Sequence, residues 1–261
     1  YLKEHSYGEY IFDWAWARAY QEHGLAYYPK ALVAVPFTPV PGSRLLARDE
    51  AARTALLRAV VAWCEEQSLS SLHLLFGSEA DMAACKSVGL MQRTTVQFHW
   101  KNLAPEGGRF RDFEHFLGAL TQDKRKKIRQ EQRRVRDAGV RFRWAHGSDI
   151  AAADWNFFYR CYERTYLEHG NPPYLSRAFF ERMARDMPGA WLLFIAEREG
   201  EAIASSLIAV NAYPSSARGQ NGFTFSPPTA YGRYRGALER VDSLHSDACH
   251  SQPLAWSLAH G

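Results

Sequence analysis

Cysteine is scarce in this sequence. Its 261 residues hold four, Cys64, Cys85, Cys161 and Cys249, and no two are in C-x-x-C spacing. That argues against a disulfide framework and against a zinc site built on paired thiolates, and it suits a cytoplasmic protein. No secretory leader opens the chain, and no apolar run approaches the ~20 residues that cross a bilayer. There is no G-x-S-x-G elbow for a hydrolase serine and no Walker A loop for a nucleotide hydrolase. A large excess of one charge sign is missing too. The formal net charge is only +4, so any basicity is local, and a local patch suits an anionic ligand better than a general nucleic-acid coat.

What is present is a globular composition, 46% hydrophobic and 14% aromatic, long enough for a sizeable core at the edge between one domain and two. The basic residues gather in Lys124–Arg136: Lys124, Arg125, Lys126, Lys127, Arg129, Arg133, Arg134 and Arg136, opposed nearby only by Asp123, Glu131 and Asp137. Phe113, Leu117, Leu120, Ile128 and Val135 give this stretch helical spacing, with Asp112 to cap it and Gly139 to end it. Alternating Val96, Phe98 and Trp100 predict a strand before it; Val140, Phe142 and Trp144 predict one after it. Arg125, Arg129, Arg133 and Arg136 share a face and are the candidate anion contacts. The alternative is a solvated helix face joining two domains.

Before this centre, a strand-like piece runs from Tyr1 to Phe12 and a helix from Asp13 to Gly24. A run from Ala31 to Val35 leads into a proline-stiffened loop, Pro36–Pro41. A helix over 49–67 turns Ala52, Leu56, Ala59, Val60 and Trp63 inward, followed by a strand at 71–76 and a helix at 78–87. After it the pattern restarts. Helices are expected over 154–168 and from Ser176 to Pro188, then strands 191–196 and 202–210 joined by a hairpin turn at Glu199-Gly-Glu201. A Pro/Ser/Gly-rich loop, a strand at 229–238 and a last helix from Asp242 or Ser243 complete it.

Several blocks, in this order, resemble a known family: His5-Ser-Tyr-Gly-Glu-Tyr-Ile-Phe-Asp-Trp14, Tyr28-Pro-Lys30 with Pro36-Phe-Thr-Pro39, Leu72–Phe76, Gln97-Phe-His-Trp100, the basic run, and Tyr231-Gly-Arg-Tyr234 followed by Leu244-His245. The chain resembles the FemAB-like N-acyltransferases, relatives of the peptidoglycan-bridge transferases. The resemblance implies an α/β (α+β) fold: two side-by-side domains of the GCN5-related acetyltransferase (GNAT) type, with mostly antiparallel sheets flanked by helices and both incomplete. The expected division is residues 1–110, a basic helical connection 111–139, and 140–261. The chain departs from the family pattern at Arg235, at Leu244–Asp247 and Cys249–Gln252, and by an inserted loop near Pro214–Pro228. The family's C-terminal signature block is absent. The resemblance implies transfer of an acyl or aminoacyl group to a small-molecule or peptide amine acceptor, with no tightly bound cofactor and an acyl-CoA or aminoacyl-tRNA as co-substrate.

Such transfer needs a group that moves the amine proton, donors for the oxyanion, and a site for the donor's phosphate-bearing handle. His5, Glu9 and Asp13 fall within one strand-to-helix turn and are the candidate acid/base cluster, with Lys30 and Thr38 beside it. The alternative is that Asp13 merely caps the helix and Glu9 faces solvent. Tyr231 and Arg233 share a strand face and suit a carboxylate or phosphate, and His245 sits near a helix start. His73 and His99 read as core histidines. Arg218–Gly222, a loop faintly like an acetyl-CoA site, is taken as coincidental. Two other functions remain open: an RNA or tRNA module gripping through the basic helix, and a degenerate member without catalysis.

Overall fold

The computed structural model describes residues 1–11, 13–211 and 228–260. Arg218–Gly222 and nearly all of the inserted loop lie outside them. The described chain divides into two compact units, Tyr1–Phe98 and His99–Gly261. Each is a β-sheet flanked by helices, the α+β architecture that the sequence implies.

The first unit holds a three-stranded sheet in the order β1-β2-β3: β1 (Leu2–Lys3), β2 (Lys30–Val33) and β3 (Leu72–Leu74). β1 and β2 are antiparallel, while β2 and β3 are parallel, with helix α2 (Glu50–Glu66) as the crossover. The strand expected through Phe12 shrinks to two residues because the chain turns away after Lys3 towards helix α1 (Trp14–Glu22). Asp49 caps α2 by accepting the Ala52 amide, and Ser78 and Asp81 form a reciprocal box at the start of α3 (Glu79–Ser87). The buried stripe of α2 is Leu57 and Cys64; Leu56 and Trp63 stand exposed. The inward face is thus rotated by one residue from the expected one, because Leu57 packs with Leu45, Ala84 and Cys85.

The second unit opens with two helices, α4 (Phe113–Gly118) and α5 (Gln122–Asp137), where one was expected; Ala119–Thr121 interrupt them. Asp112 caps the first by accepting the His115 amide, and Gly139, at φ +77°, follows the second. The basic stretch therefore lies within this unit. Four antiparallel strands follow in sequence order: β4 (Val140–His146), β5 (Trp191–Arg198), β6 (Glu201–Val210) and β7 (Ala230–Ala237). The hairpin expected at Glu199-Gly-Glu201 forms with a two-residue turn, Glu199 and Gly200 both at positive φ, and Glu201 already belongs to β6. Helices α6 (Ala152–Glu168) and α7 (Arg177–Asp186) cover the sheet with a cluster of Phe158, Tyr162, Phe180 and Tyr234 rings. Val135 of α5 joins Val140, Ala204 and Leu244 in a core cluster. The last helix runs as α8 (Leu244–Ser246), a π-turn over Asp247–Ser251, and α9 (Gln252–His260). No helix among the described residues is long and apolar enough to cross a membrane.

The strand expected around Val96–Trp100 does not form. Residues 90–104 have no regular structure, and Val96 and Phe98 are exposed, because no strand lies alongside to take their backbone hydrogen bonds.

Candidate functional site

The most unusual side chain in the first unit is Lys30, whose residue is 0% exposed. A lysine is almost never fully buried unless paired. It opens β2 and points back to the turn between β1 and α1. Its Nζ donates to Glu9 Oε2 at 2.9 Å, to Asp13 Oδ2 at 2.6 Å and to Ser6 Oγ at 2.7 Å. The Tyr27 hydroxyl also donates to Asp13 Oδ2, at 2.6 Å, and the Ser6 and Tyr28 hydroxyls lie 2.9 Å apart. The ammonium sits 5.5 Å and 5.8 Å from the centroids of the Tyr27 and Tyr28 rings, within cation–π range. His73 of β3 closes the network, its Nε2 3.0 Å from Ser71 Oγ and 3.4 Å from the Tyr27 hydroxyl.

Two carboxylates thus meet one ammonium, and the surplus negative charge is buried. Glu9 Oε1 and Asp13 Oδ1 are both enclosed and have no hydrogen-bond partner among the described residues. The buried Asp81 shows what a purely structural carboxylate looks like in the same unit. Its oxygens accept the amides of Arg44, Leu45 and Ser78 and face Arg53. Unlike Asp81, the Lys30 cluster leaves acceptor capacity unused, and buried groups in that condition call for an explanation.

Electrostatics follow the geometry. Burial pushes the Asp13 carboxyl up, but hydrogen bonds from Lys30 and Tyr27 and the Lys30 charge outweigh it, so it rests below the usual carboxylate range. Burial and the Asp13 carboxylate drive the Tyr27 phenol far above its ordinary value. Burial, reinforced by the Lys30 charge, lowers the basicity of His73. The backbone around the cluster is held out of its common conformations: Tyr10 and Phe37 take positive φ of 58° and 53°. Gly8, at φ +80°, lies so close to the Phe37 ring that a Cβ would stand 2.2 Å from it. The proline-rich loop therefore clamps the Ser6–Tyr10 turn.

Of the residues singled out in the sequence, the structure brings together Glu9, Asp13 and Lys30. Asp13 does not cap α1 with its side chain, and Glu9 does not face solvent; both carboxylates turn to Lys30. His5 is exposed, its Nδ1 accepting the Tyr7 amide. Thr38 Oγ1 donates to the Pro36 carbonyl. Sequence reasoning missed Ser6, Tyr27, Tyr28 and the link to His73. The signal was there for the tyrosines, since Tyr28 opens the Tyr28-Pro-Lys30 block and Tyr27 immediately precedes it.

The other candidates lie in the second unit. A bulge in the β6–β7 pairing, where Leu207 faces Tyr234 and Ile208 faces Gly232, leaves Arg233 as the extra residue. It breaks the simple alternation that would put Tyr231 and Arg233 on one face. The Arg233 guanidinium instead lies 5.0 Å over the Tyr234 ring. His245 is exposed on the last helix. On α5, Arg129 pairs with Glu114 at 2.6 Å and Arg134 with Asp242 at 3.1 Å. Arg133 and Arg136 are exposed, while Arg125 is half-buried beside the Ile128–Val135 stripe. An open depression of about 510 Å³ along α7, lined by Phe179, Arg182 and Arg185 among others, holds none of the candidate residues.

The whole sequence, residues 1–261, matches one family, described as peptidoglycan biosynthesis/recognition. The chain belongs to the FemAB-like family. That membership supports a transferase role. No curated protein matches the chain. Among solved structures it is similar to the C-terminal DUF2156 domain of an Agrobacterium fabrum protein titled as a lysylphosphatidylglycerol synthetase, at 14% identity and a TM-score of 0.48. The match covers 82% of this chain and 58% of that one.

Proposed function

We propose that this FemAB-like chain is an N-acyltransferase that moves an acyl or aminoacyl group from an activated donor to the amine of a peptide or small molecule. The observation that carries the reading is the Lys30 cluster: two buried carboxylates, one ammonium, and an unpartnered oxygen on each carboxylate. An amine acceptor arrives as an ammonium. It needs acceptors for its N–H groups and a base to take the proton that must leave before nitrogen attacks the acyl carbon. Glu9 Oε1 and Asp13 Oδ1 supply the first, and the surplus negative charge favours the cation over neutral competitors. Glu9 is the candidate base, because Lys30 alone donates to its carboxylate, whereas Asp13 accepts from Tyr27 and Lys30 together and takes a proton less readily. Lys30 holds the two carboxylates in place. The donor is expected to be an acyl-CoA or an aminoacyl-tRNA, used as co-substrate.

The test is a transfer assay pairing labelled acyl-CoAs and aminoacyl-tRNAs with peptide and small amine acceptors. Glu9→Gln, nearly the same shape, is expected to lower transfer by roughly 10²–10⁴-fold, the range for losing a general base, while circular dichroism stays that of the parent. Transfer at the parental rate in a folded Glu9→Gln protein removes Glu9 from the chemistry.

A further inference from the structure

The second unit carries a cluster of nitrogen donors that the transfer reading does not use. A π-turn widens the last helix over Asp247–Ser251. In a regular α-helix, residues five apart point about 140° away from each other; across this turn His245 and His250 come together, their ring centroids 5.9 Å apart. Single π-turns inside helices often mark functional positions. Arg235 approaches from β7. It pairs in register with Ser206, the residue beside which Cys249 of the π-turn rests. Its backbone is pinned: the Thr165 hydroxyl donates to the Arg235 carbonyl at 3.1 Å, and a Cβ on the next residue, Gly236, would stand 2.0 Å from the Cys161 carbonyl oxygen of α6. β7 and α6 are in backbone contact there, so the start of the Arg235 side chain has little freedom.

Among the described residues no ion pair neutralises these groups. The carboxylate on the turn, Asp247, is buried, and burial holds it towards its neutral form despite a hydrogen bond from Gln252; Glu131 adds to the effect and Arg136 opposes it. Asp242 is engaged with Arg134. Burial, the Arg235 charge and the neighbouring His250 all depress the basicity of His245. Cys249 is likewise held as the neutral thiol by burial. Protonation of His245 is thus opposed by its neighbours, and a bound anion would relieve that opposition.

We infer that Arg235, His245 and His250 form a binding site for a phosphoryl group. Three donor-bearing side chains suit a tetrahedral oxyanion with three free oxygens better than a carboxylate with two, and an Arg fork binds two of those oxygens at once. The site is separate from the Lys30 cluster and does not depend on the transfer reading.

The probe is inorganic pyrophosphate, followed by the imidazole C–H resonances of the intact protein as pH is varied. Bound pyrophosphate should raise the titration midpoints of both His245 and His250 by about one unit, and affinity should strengthen about tenfold from pH 8 to pH 6. Arg235→Gln and His250→Gln, both at exposed positions, should each weaken binding at least tenfold while the spectrum stays that of a folded protein. Acetate at equal ionic strength should have no effect. An equal shift with acetate or chloride, or unchanged affinity in Arg235→Gln, would overturn the site.

Discussion

Lys30 shows how much one residue can hide. The sequence marks it as a candidate together with Glu9 and Asp13, because the three fall in blocks rich in polar groups. It does not show that the ammonium is enclosed, since burial depends on Ser6, Glu9, Asp13, Tyr27 and Tyr28 closing around it from two separate stretches of chain. Enclosure changes the expected outcome of mutation. Lys30→Met leaves two buried carboxylates uncompensated and should cost about 3–5 kcal/mol, read as a lower denaturant midpoint for the first unit. The two units should also answer acid with opposite signs at their buried aspartates. Asp13 is depressed in the fold, so its contribution is present above the ordinary carboxylate value and is lost as pH falls through the folded one. His73, held neutral, adds a loss in the same direction once pH drops below the ordinary histidine value of ~6.5. Asp247 is raised, so its contribution is present below the ordinary carboxylate value and fades as pH rises through the folded one. Asp247→Asn should therefore raise the melting temperature of the second unit at pH 7 and make no such gain near pH 3. A lower melting temperature at pH 7 would mean that the carboxylate is ionised there and paired.

At the scale of elements, the helices with their own punctuation were the most legible. Asp49, Ser78, Asp112 and Ser176 all cap where the sequence places a start, and Gly139 follows α5 at positive φ. The failures share one cause, a partner that sequence does not display. Val96, Phe98 and Trp100 alternate as a strand would, yet no neighbouring strand pairs with them. The face of α2 turns by one residue because Leu45 and α3 decide which side is covered. In α5 eight cations stand against three carboxylates, in a chain whose total is only +4. Part of that charge is locally satisfied, by Glu114, Glu131 and Asp242. Reversing Arg129 and Arg133 together should leave stability within about 1 kcal/mol, because exposed pairs contribute little. If α5 is an anion surface, the same double variant should abolish binding of a polyanion such as heparin and flatten its salt dependence. Unchanged affinity and slope would make the helix a solvated face.

For the whole molecule, the restart of the strand and helix pattern at Val140 pointed to a second sheet, and β4 begins there. Contacts draw the second unit from His99, earlier than the strand pattern alone reveals, because Ala104, Phe110 and the α4 rings pack with Leu258 of the last helix. Between the units the chain lacks regular structure, and Phe98 is 100% exposed. Brief chymotrypsin digestion should cut first at Phe98 and yield fragments 1–98 and 99–261, identified by mass. Early cleavage elsewhere within either unit would contradict this division.

The enclosure of Lys30 also makes it a clock. Of the seven lysines in the chain, it is the one whose amine lies wholly inside the protein and is held by three oxygens. An amine-reactive label reaches it only when the residues that enclose it move apart. Its labelling rate, measured beside that of Lys3 in the same peptide map, reports how often the cluster opens, with no substrate needed.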